Sequence, residues 1–133
     1  MALTRTVSPL GRDLKLLVSQ TIGACIAVHK GLGPGLSEAV YSKALVLELN
    51  WVGLEVEAEK PVPVRYRGEV LCQQRIDLLV GRRLVVEVKS VEALHPVHIA
   101  QATSYLRLTR LRVALLVNFN VPMLKEGLKR IVL

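Results

Sequence analysis

The sequence predicts an α/β domain with a mixed central sheet flanked by helices. Three observations carry that prediction. Two early segments, 13–30 and 38–51, place apolar residues at helical spacing. From Leu54 to Ser90 the pattern changes to period two, broken by tight turns. After a further helical segment, Leu111 to Asn118 is a continuous apolar run, as in strands buried on both faces.

Each element follows from local chemistry. Residues 1–12 read as a loose leader, with Pro9 and Gly11 as breakers. Leu14, Leu17, Val18, Ile22, Cys25, Ile26 and Val28 form the apolar stripe of a first helix, which the cluster Gly31-Leu-Gly-Pro-Gly35 stops. That cluster lacks the GK[ST] ending of a phosphate loop and follows a helix rather than a strand. Ser37 is a natural N-cap for a second helix, Glu38 to Trp51, which Gly53 ends. Trp51 is expected to pack at the end of this helix, and His29 to sit where the helix dipole favours a basic residue.

Leu54 to Lys60 alternates, and Pro61 and Pro63 frame a second extended segment, Val62 to Arg67. Turns at Arg67-Gly68-Glu69 and Gly81-Arg82 then set off Val70–Val80 and Leu84–Ser90, making a meander of three or four antiparallel strands. Pro96 suits the first turn of a third helix running to about Leu108. Val121 to Ile131 reads as a last short helix or turn.

The bulk properties bound the function. A chain of 133 residues suits one domain, here 1–133. Eighteen Lys and Arg against eleven Asp and Glu give a net charge of +7, which favours polyanionic partners. Six of the basic residues (Arg107, Arg110, Arg112, Lys125, Lys129 and Arg130) fall after position 106, with Glu126 as the one acid among them. Cys25 and Cys72 form neither a disulfide framework nor a metal-ligand spacing, and Cys25 reads as a small core residue. The start of the chain lacks a signal-peptide pattern, and the most apolar segment, Leu16 to Val28, is too short to span a bilayer. These features lead to an expectation of a soluble cytoplasmic protein with no membrane association.

The candidate chemistry lies in Arg75-Ile-Asp-Leu-Leu-Val80 and Leu84-Val-Val-Glu-Val-Lys-Ser90. Glu87 and Lys89 share one face of their strand, and the turn can bring Asp77 beside Glu87 from the neighbouring strand. Two carboxylates at that range repel, and a divalent cation resolves the conflict. Mg²⁺ suits one or two protein carboxylates with water and phosphate oxygens completing its shell. Lys89 would then orient the attacking water or stabilise charge on a phosphate. Taken alone, a Glu-X-Lys in a strand is more often a solvated ion pair. The apolar neighbours Leu84, Val85, Val86 and Val88 argue for an internal strand, where unpaired charge is costly.

Gln101 and Tyr105, four apart on the third helix, can position the lysine, the water or a phosphate. Glu38 and Tyr41, three apart, share a face of the second helix, although an acid there also fits the helix dipole. His95 and His98 are a weak metal-ligand signal by themselves.

Gly35-Leu-Ser-Glu38-Ala-Val-Tyr41 resembles the signature of the GxxExxY family, a bacterial and archaeal group of small proteins. The resemblance extends over Val28–Gly35, Arg75–Val80, Val86–Ser90, Pro96–Gln101 with Tyr105, and Leu116–Asn120. That family is similar to the PD-(D/E)XK nuclease superfamily, which implies a restriction-endonuclease-like α-β-β-β-α-β core. The resemblance implies Asp77 and Glu87 as metal carboxylates, Lys89 as the catalytic lysine and Glu38 as a helix-borne assisting acid. It also implies Gln101 and Tyr105 as the QxxxY pair of the RecB-like branch, with His98 at the rim. Ile76 stands where the superfamily's name has proline.

The expected function is Mg²⁺- or Mn²⁺-dependent hydrolysis of phosphodiester bonds, with nucleic acid, DNA rather than RNA, as partner. A chain this small lacks an obvious base-reading appendage, so a homodimer or another partner is one route to a firm grip. The alternatives are a catalytically inactive nucleic-acid-binding or assembly module that keeps the fold, and a binder of anionic membrane surfaces.

Overall fold

A computed structural model describes residues 10–133. Helices α1 (Arg12–Leu32) and α2 (Glu38–Trp51) come first. Strands β1 (Val56–Tyr66), β2 (Glu69–Val80) and β3 (Leu84–Lys89) follow, then helix α3 (Pro96–Thr109) and strand β4 (Val113–Asn118). A 3-10 turn, Leu124–Glu126, leads to a last strand, β5 (Leu128–Val132). The order from α2 to β4 is the α-β-β-β-α-β arrangement expected above, to which α1 and β5 are added.

The five strands lie in the order β1-β2-β3-β4-β5. All neighbours run antiparallel except β3 and β4, which are parallel and joined through α3. A parallel pair needs a crossover of this kind, and the crossover helix covers one sheet face. Two apolar clusters result. Leu14, Val18, Cys25, Leu45 and Leu49 of α1 and α2 pack on Leu78, Val86, Val88, Leu115 and Val117. On the other face Ala102, Tyr105 and Leu106 of α3 pack on Ile76, Leu79, Val85 and Ala114. β3 and β4 are therefore sandwiched, which explains their continuous apolar runs. Burial pushes the Cys25 thiol up to about 12, so it behaves as an inert core group.

Several expectations are revised. The segments 54–60 and 62–67 form one strand, β1, despite Pro61 and Pro63. β1 is an edge strand, and proline is tolerated where no ladder partner needs its missing N–H. Val121 to Ile131 does not close the chain as a helix. Leu128–Val132 pairs antiparallel with β4, because the otherwise bare edge of that buried strand needs backbone partners. Trp51 is 87% exposed, not packed. α2 buries Tyr41, Leu45 and Leu49 along one stripe, and position 51 turns away from it. His29 lies in the last turn of α1, as expected, but is buried there, its Nε2–H donating to the Val121 carbonyl at 2.8 Å. The leader expected over 1–12 falls mostly outside the described residues. Leu10, by contrast, packs into the larger apolar cluster, and α1 already begins at Arg12.

Among the described residues, no helix is long and apolar enough to cross a membrane.

Candidate active site

The site begins with a failure of strand pairing. The β2–β3 ladder runs from Val80↔Leu84 to Leu78↔Val86 and stops. The next pair in register would be Asp77 opposite Glu87. Here side chains replace the backbone ladder. The Asp77 N–H donates to Glu87 Oε1 at 3.0 Å, and the Val88 N–H donates to Asp77 Oδ2 at 2.7 Å. Each carboxylate thus satisfies a backbone donor that the diverging strands would otherwise leave bare.

Face alternation in β2 breaks at the same point. Ile76 and Leu79 both join the α3-side cluster, while Leu78 joins the other. On β1, Glu59 lies opposite in register with a left-handed backbone, φ 52°, and forms no ladder pair. The β1–β2 hairpin therefore twists through Asp77, and the aspartate opens into the gap between strands instead of stacking on one face.

This environment is costly for negative charge. Glu87 is 3% exposed. Burial first, and the Asp77 charge second, push its carboxyl up to about 8. Burial also raises Asp77, against the lowering influence of the Val88 N–H. Lys89, half-buried at the end of β3, biases both carboxyls downward without forming a direct ion pair among the described residues.

The helices bring three more groups. Ser37 caps α2 by accepting the Val40 N–H at 3.4 Å, so the helix starts at Glu38. Glu38 Oε2 accepts the Ser90 N–H at 3.4 Å, and the Ser90 hydroxyl donates to the Leu36 carbonyl at 2.5 Å. These bonds join the helix start to the end of β3, and the Glu38 charge reaches Asp77 as a weak raising influence. On α3, Gln101 Nε2 donates to Tyr105 Oη at 3.1 Å. Tyr105 is buried against the acids; burial and then the Glu87 charge raise its pKa. The six expected residues Glu38, Asp77, Glu87, Lys89, Gln101 and Tyr105 thus converge on one end of the sheet.

Two clefts open there. One, about 590 Å³, lies between α2 and the hairpin and is lined by Glu38, Lys43, Glu59 and Asp77 among others. The other, about 430 Å³, lies against α3 and includes Gln74, Gln101, Tyr105 and Arg107. The remaining late basic residues are dispersed, with Lys129 and Arg130 exposed on edge strand β5 beyond β4.

Tyr41 has a different role from its neighbour Glu38. It is fully buried, stacks on Phe119 with ring centroids 4.6 Å apart, donates to the Gly33 carbonyl and accepts the Leu36 N–H. It pins the glycine turn, where Gly33 and Gly35 have φ 70° and 100°, and so sets where α2 begins. His95 and His98 serve the start of α3, since His98 Nδ1 accepts the His95 N–H at 3.1 Å.

Sequence reasoning passed over Asn118 and Ser90. Asn118 is buried; its Oδ1 accepts the Val91 N–H and its Nδ2 donates to the Val91 carbonyl, at 3.1 and 2.9 Å. It fastens the segment that follows Lys89. The available signal was a single amide ending an unbroken apolar strand.

Among the described residues no three His, Cys, Asp or Glu side chains gather closely enough to cage a metal unaided. The donor set is two hard carboxylates that already share the cost of burial. That fits a Mg²⁺-like cation, which keeps several waters and takes few protein ligands.

A pH dependence follows. Between the ordinary value of 4.5 and about 8, folded Glu87 holds a proton that the unfolded chain releases. The folded state binds more protons there, so metal-free stability falls as pH rises through that window. The melting temperature in chelator should fall by roughly 5 °C from about pH 6 to about pH 8.5. Saturating Mn²⁺ should raise it more at the higher pH, because binding displaces the proton. Differential scanning fluorimetry checks both; a stabilisation by Mn²⁺ independent of pH would contradict the pairing.

An acid–acid–lysine constellation on diverging strands of an α/β sheet defines a nuclease-type domain. The family model of the PD-(D/E)XK nuclease superfamily matches residues 15–131, and the chain belongs to that superfamily. Neither a search of curated proteins nor one of solved structures gave a match.

Proposed function

We propose that the protein is a metal-dependent nuclease that hydrolyses phosphodiester bonds of nucleic acid, DNA rather than RNA. The observation that carries this reading is the opened β2–β3 pair, where buried Glu87 and half-buried Asp77 lie opposite and take over the ladder's hydrogen bonds. Asp77 and Glu87 would hold Mg²⁺ or Mn²⁺, which when bound supplies charge neutralisation for the acids and the phosphate.

The chain's own groups do the rest. Lys89 projects from the same strand and supplies an ammonium to orient the attacking water or stabilise charge on the phosphate. Glu38, anchored by the Ser90 N–H, brings a third carboxylate to the cleft, where it can accept a proton from water. Tyr105 accepts from Gln101, which leaves its own O–H to donate toward the acids or a phosphate oxygen. Within the superfamily we place the chain in the GxxExxY group, with Gln101 and Tyr105 as a RecB-like QxxxY pair. Its motif has a physical sense: Gly35 turns the chain, Tyr41 pins the turn, and Glu38 is thereby aimed at the end of β3. We read the chain as a single domain that acts in the cytoplasm, with a homodimer as one route to a firmer hold.

The test is cleavage of DNA and RNA substrates in Mg²⁺ or Mn²⁺, with and without chelator. Activity should vanish in chelator and fall at least about 100-fold in Lys89→Ala, with an unchanged circular dichroism spectrum. Equal cleavage by Lys89→Ala would sink the catalytic reading. Salt-dependent binding without any cleavage would favour a non-catalytic module of the same fold.

A further inference from the structure

β1 and β2 are 11 and 12 residues long, whereas β3 and β4 have six each. β2 pairs with β3 only through Leu78, Leu79 and Val80, so the hairpin beyond Ile76 has no third strand. Every residue from Arg65 to Arg75 is exposed. Val62 is still buried against α3, and from there to Tyr66 the two-stranded arm extends about 13 Å at the usual rise per residue. Its middle, at Val64 and Gln74, lines the same cleft as Gln101 and Tyr105. Beyond Val64 the ribbon is exposed on both faces and gains little from the fold it leaves, so it calls for an occupant.

The charge of the arm indicates which. From Lys60 to Arg75 there are four basic residues and one acid, Glu69. Lys60 pairs with Glu57 and Arg75 with Glu59, whereas Arg65 and Arg67 at the tip form no ion pair among the described residues. Arg67 also occupies an expensive position. It has φ 50° and Gly68 φ 80°, the two-residue turn that favours Asn-Gly.

We propose that the β1–β2 arm lies in the groove of double-stranded nucleic acid, with Arg65 and Arg67 on the phosphate backbone and the root of the arm delivering the strand to the Asp77–Glu87 site. This rests on the nuclease reading for its direction, but the binding itself does not require cleavage. A two-stranded ribbon matches a B-form major groove about 12 Å wide. A second copy of the chain is the poorer occupant, although Tyr66, Val70 and Leu71 are exposed near the tip. A two-fold contact centred on the tip would bring its arginines close to their own copies.

The experiment compares wild type with the double variant Arg65→Gln, Arg67→Asn in chelator, using a fluorescent DNA duplex of about 20 base pairs. Asn suits the left-handed turn, so the hairpin should be kept. Affinity at moderate salt should fall about tenfold, and the slope of log affinity against log salt should lessen by about 2, for two lost phosphate contacts. Arg82→Gln, at the β2–β3 turn, should bind as wild type. Wild-type affinity and slope in the double variant would overturn the proposal, as would tighter binding of single strand than of duplex. A changed oligomeric state with unchanged affinity would assign the arm to a second copy and also overturn it. If the double variant loses binding while no condition yields cleavage, the arm stands and the nuclease reading fails. If wild type cleaves and the double variant binds equally well, the reverse holds.

Discussion

Glu87→Gln is expected to lower cleavage at least about 10³-fold and at the same time to raise the melting temperature of the metal-free protein. The two effects share one cause. Glu87 is buried beside Asp77, and both acids are pushed toward their protonated forms. Glutamine has the same shape. Its oxygen can still accept the Asp77 N–H, the bond that Glu87 makes at 3.0 Å, and its NH₂ can donate to the Asp77 carboxylate. The variant thus removes a repulsion without leaving a buried group unpaired. It would also remove a proposed anionic ligand, so a divalent cation held there would lose half its protein-supplied charge. The gain should amount to roughly 5 °C above about pH 8 and disappear near pH 5, where wild-type Glu87 is itself neutral. Fluorimetry in chelator and a cleavage assay in Mg²⁺ measure the two arms. Cleavage within tenfold of wild type, or a lowered melting temperature at high pH, would refute the assignment of Glu87.

Gly127→Ala is expected to be the most damaging single methyl in the chain. A Cβ at Gly127 would fall 2.0 Å from the Asn118 carbonyl oxygen and 3.0 Å from its carbon. The φ of this glycine is −102°, so the backbone conformation itself would accept alanine. Space is what excludes it. Neither partner can retreat cheaply, because the Asn118 N–H donates to the Gly127 carbonyl at 2.9 Å and the Asn118 side chain holds Val91 at both polar atoms. Forcing the two backbones apart should cost about 3 kcal/mol or more and lower the melting temperature by roughly 10 °C. Cleavage should fall with it even below the transition, since Asn118 fastens the segment that follows Lys89. Thermal denaturation by circular dichroism decides this; a melting temperature within a degree of wild type would show that the approach is looser.

Much of this was legible from residues alone. Helix α2 runs over the span that Ser37 and Gly53 delimit, because capping and termination are local chemistry. The alternating and continuous apolar patterns located β2, β3 and β4 to within a residue or two, because side-chain period follows from backbone geometry. The acid–acid–lysine set was also within reach, since Glu87 and Lys89 share a strand face and one short turn brings Asp77 alongside. What pattern could not supply was partnership at a distance. Leu128–Val132 is a strand only because β4 has an edge to cover. Trp51 turns outward, and His29, in the expected last turn of α1, is buried against Val121, because packing across elements decides burial. Asn118 matters for what it holds 27 residues away.

The sequence by itself determined an α/β chain with two acids and a lysine on neighbouring strands, for periodicity and turn chemistry are properties of short segments. Only the tertiary structure decided that β2 and β3 part at Asp77 and that the carboxylates take over the ladder's hydrogen bonds. It also decided that Arg65 and Arg67 stand exposed at the tip of a projecting hairpin, and that of the late basic residues Arg107 lines the cleft beside Gln101 and Tyr105. Those outcomes depend on which strands meet and where they stop meeting, and that is settled by non-local pairing and burial.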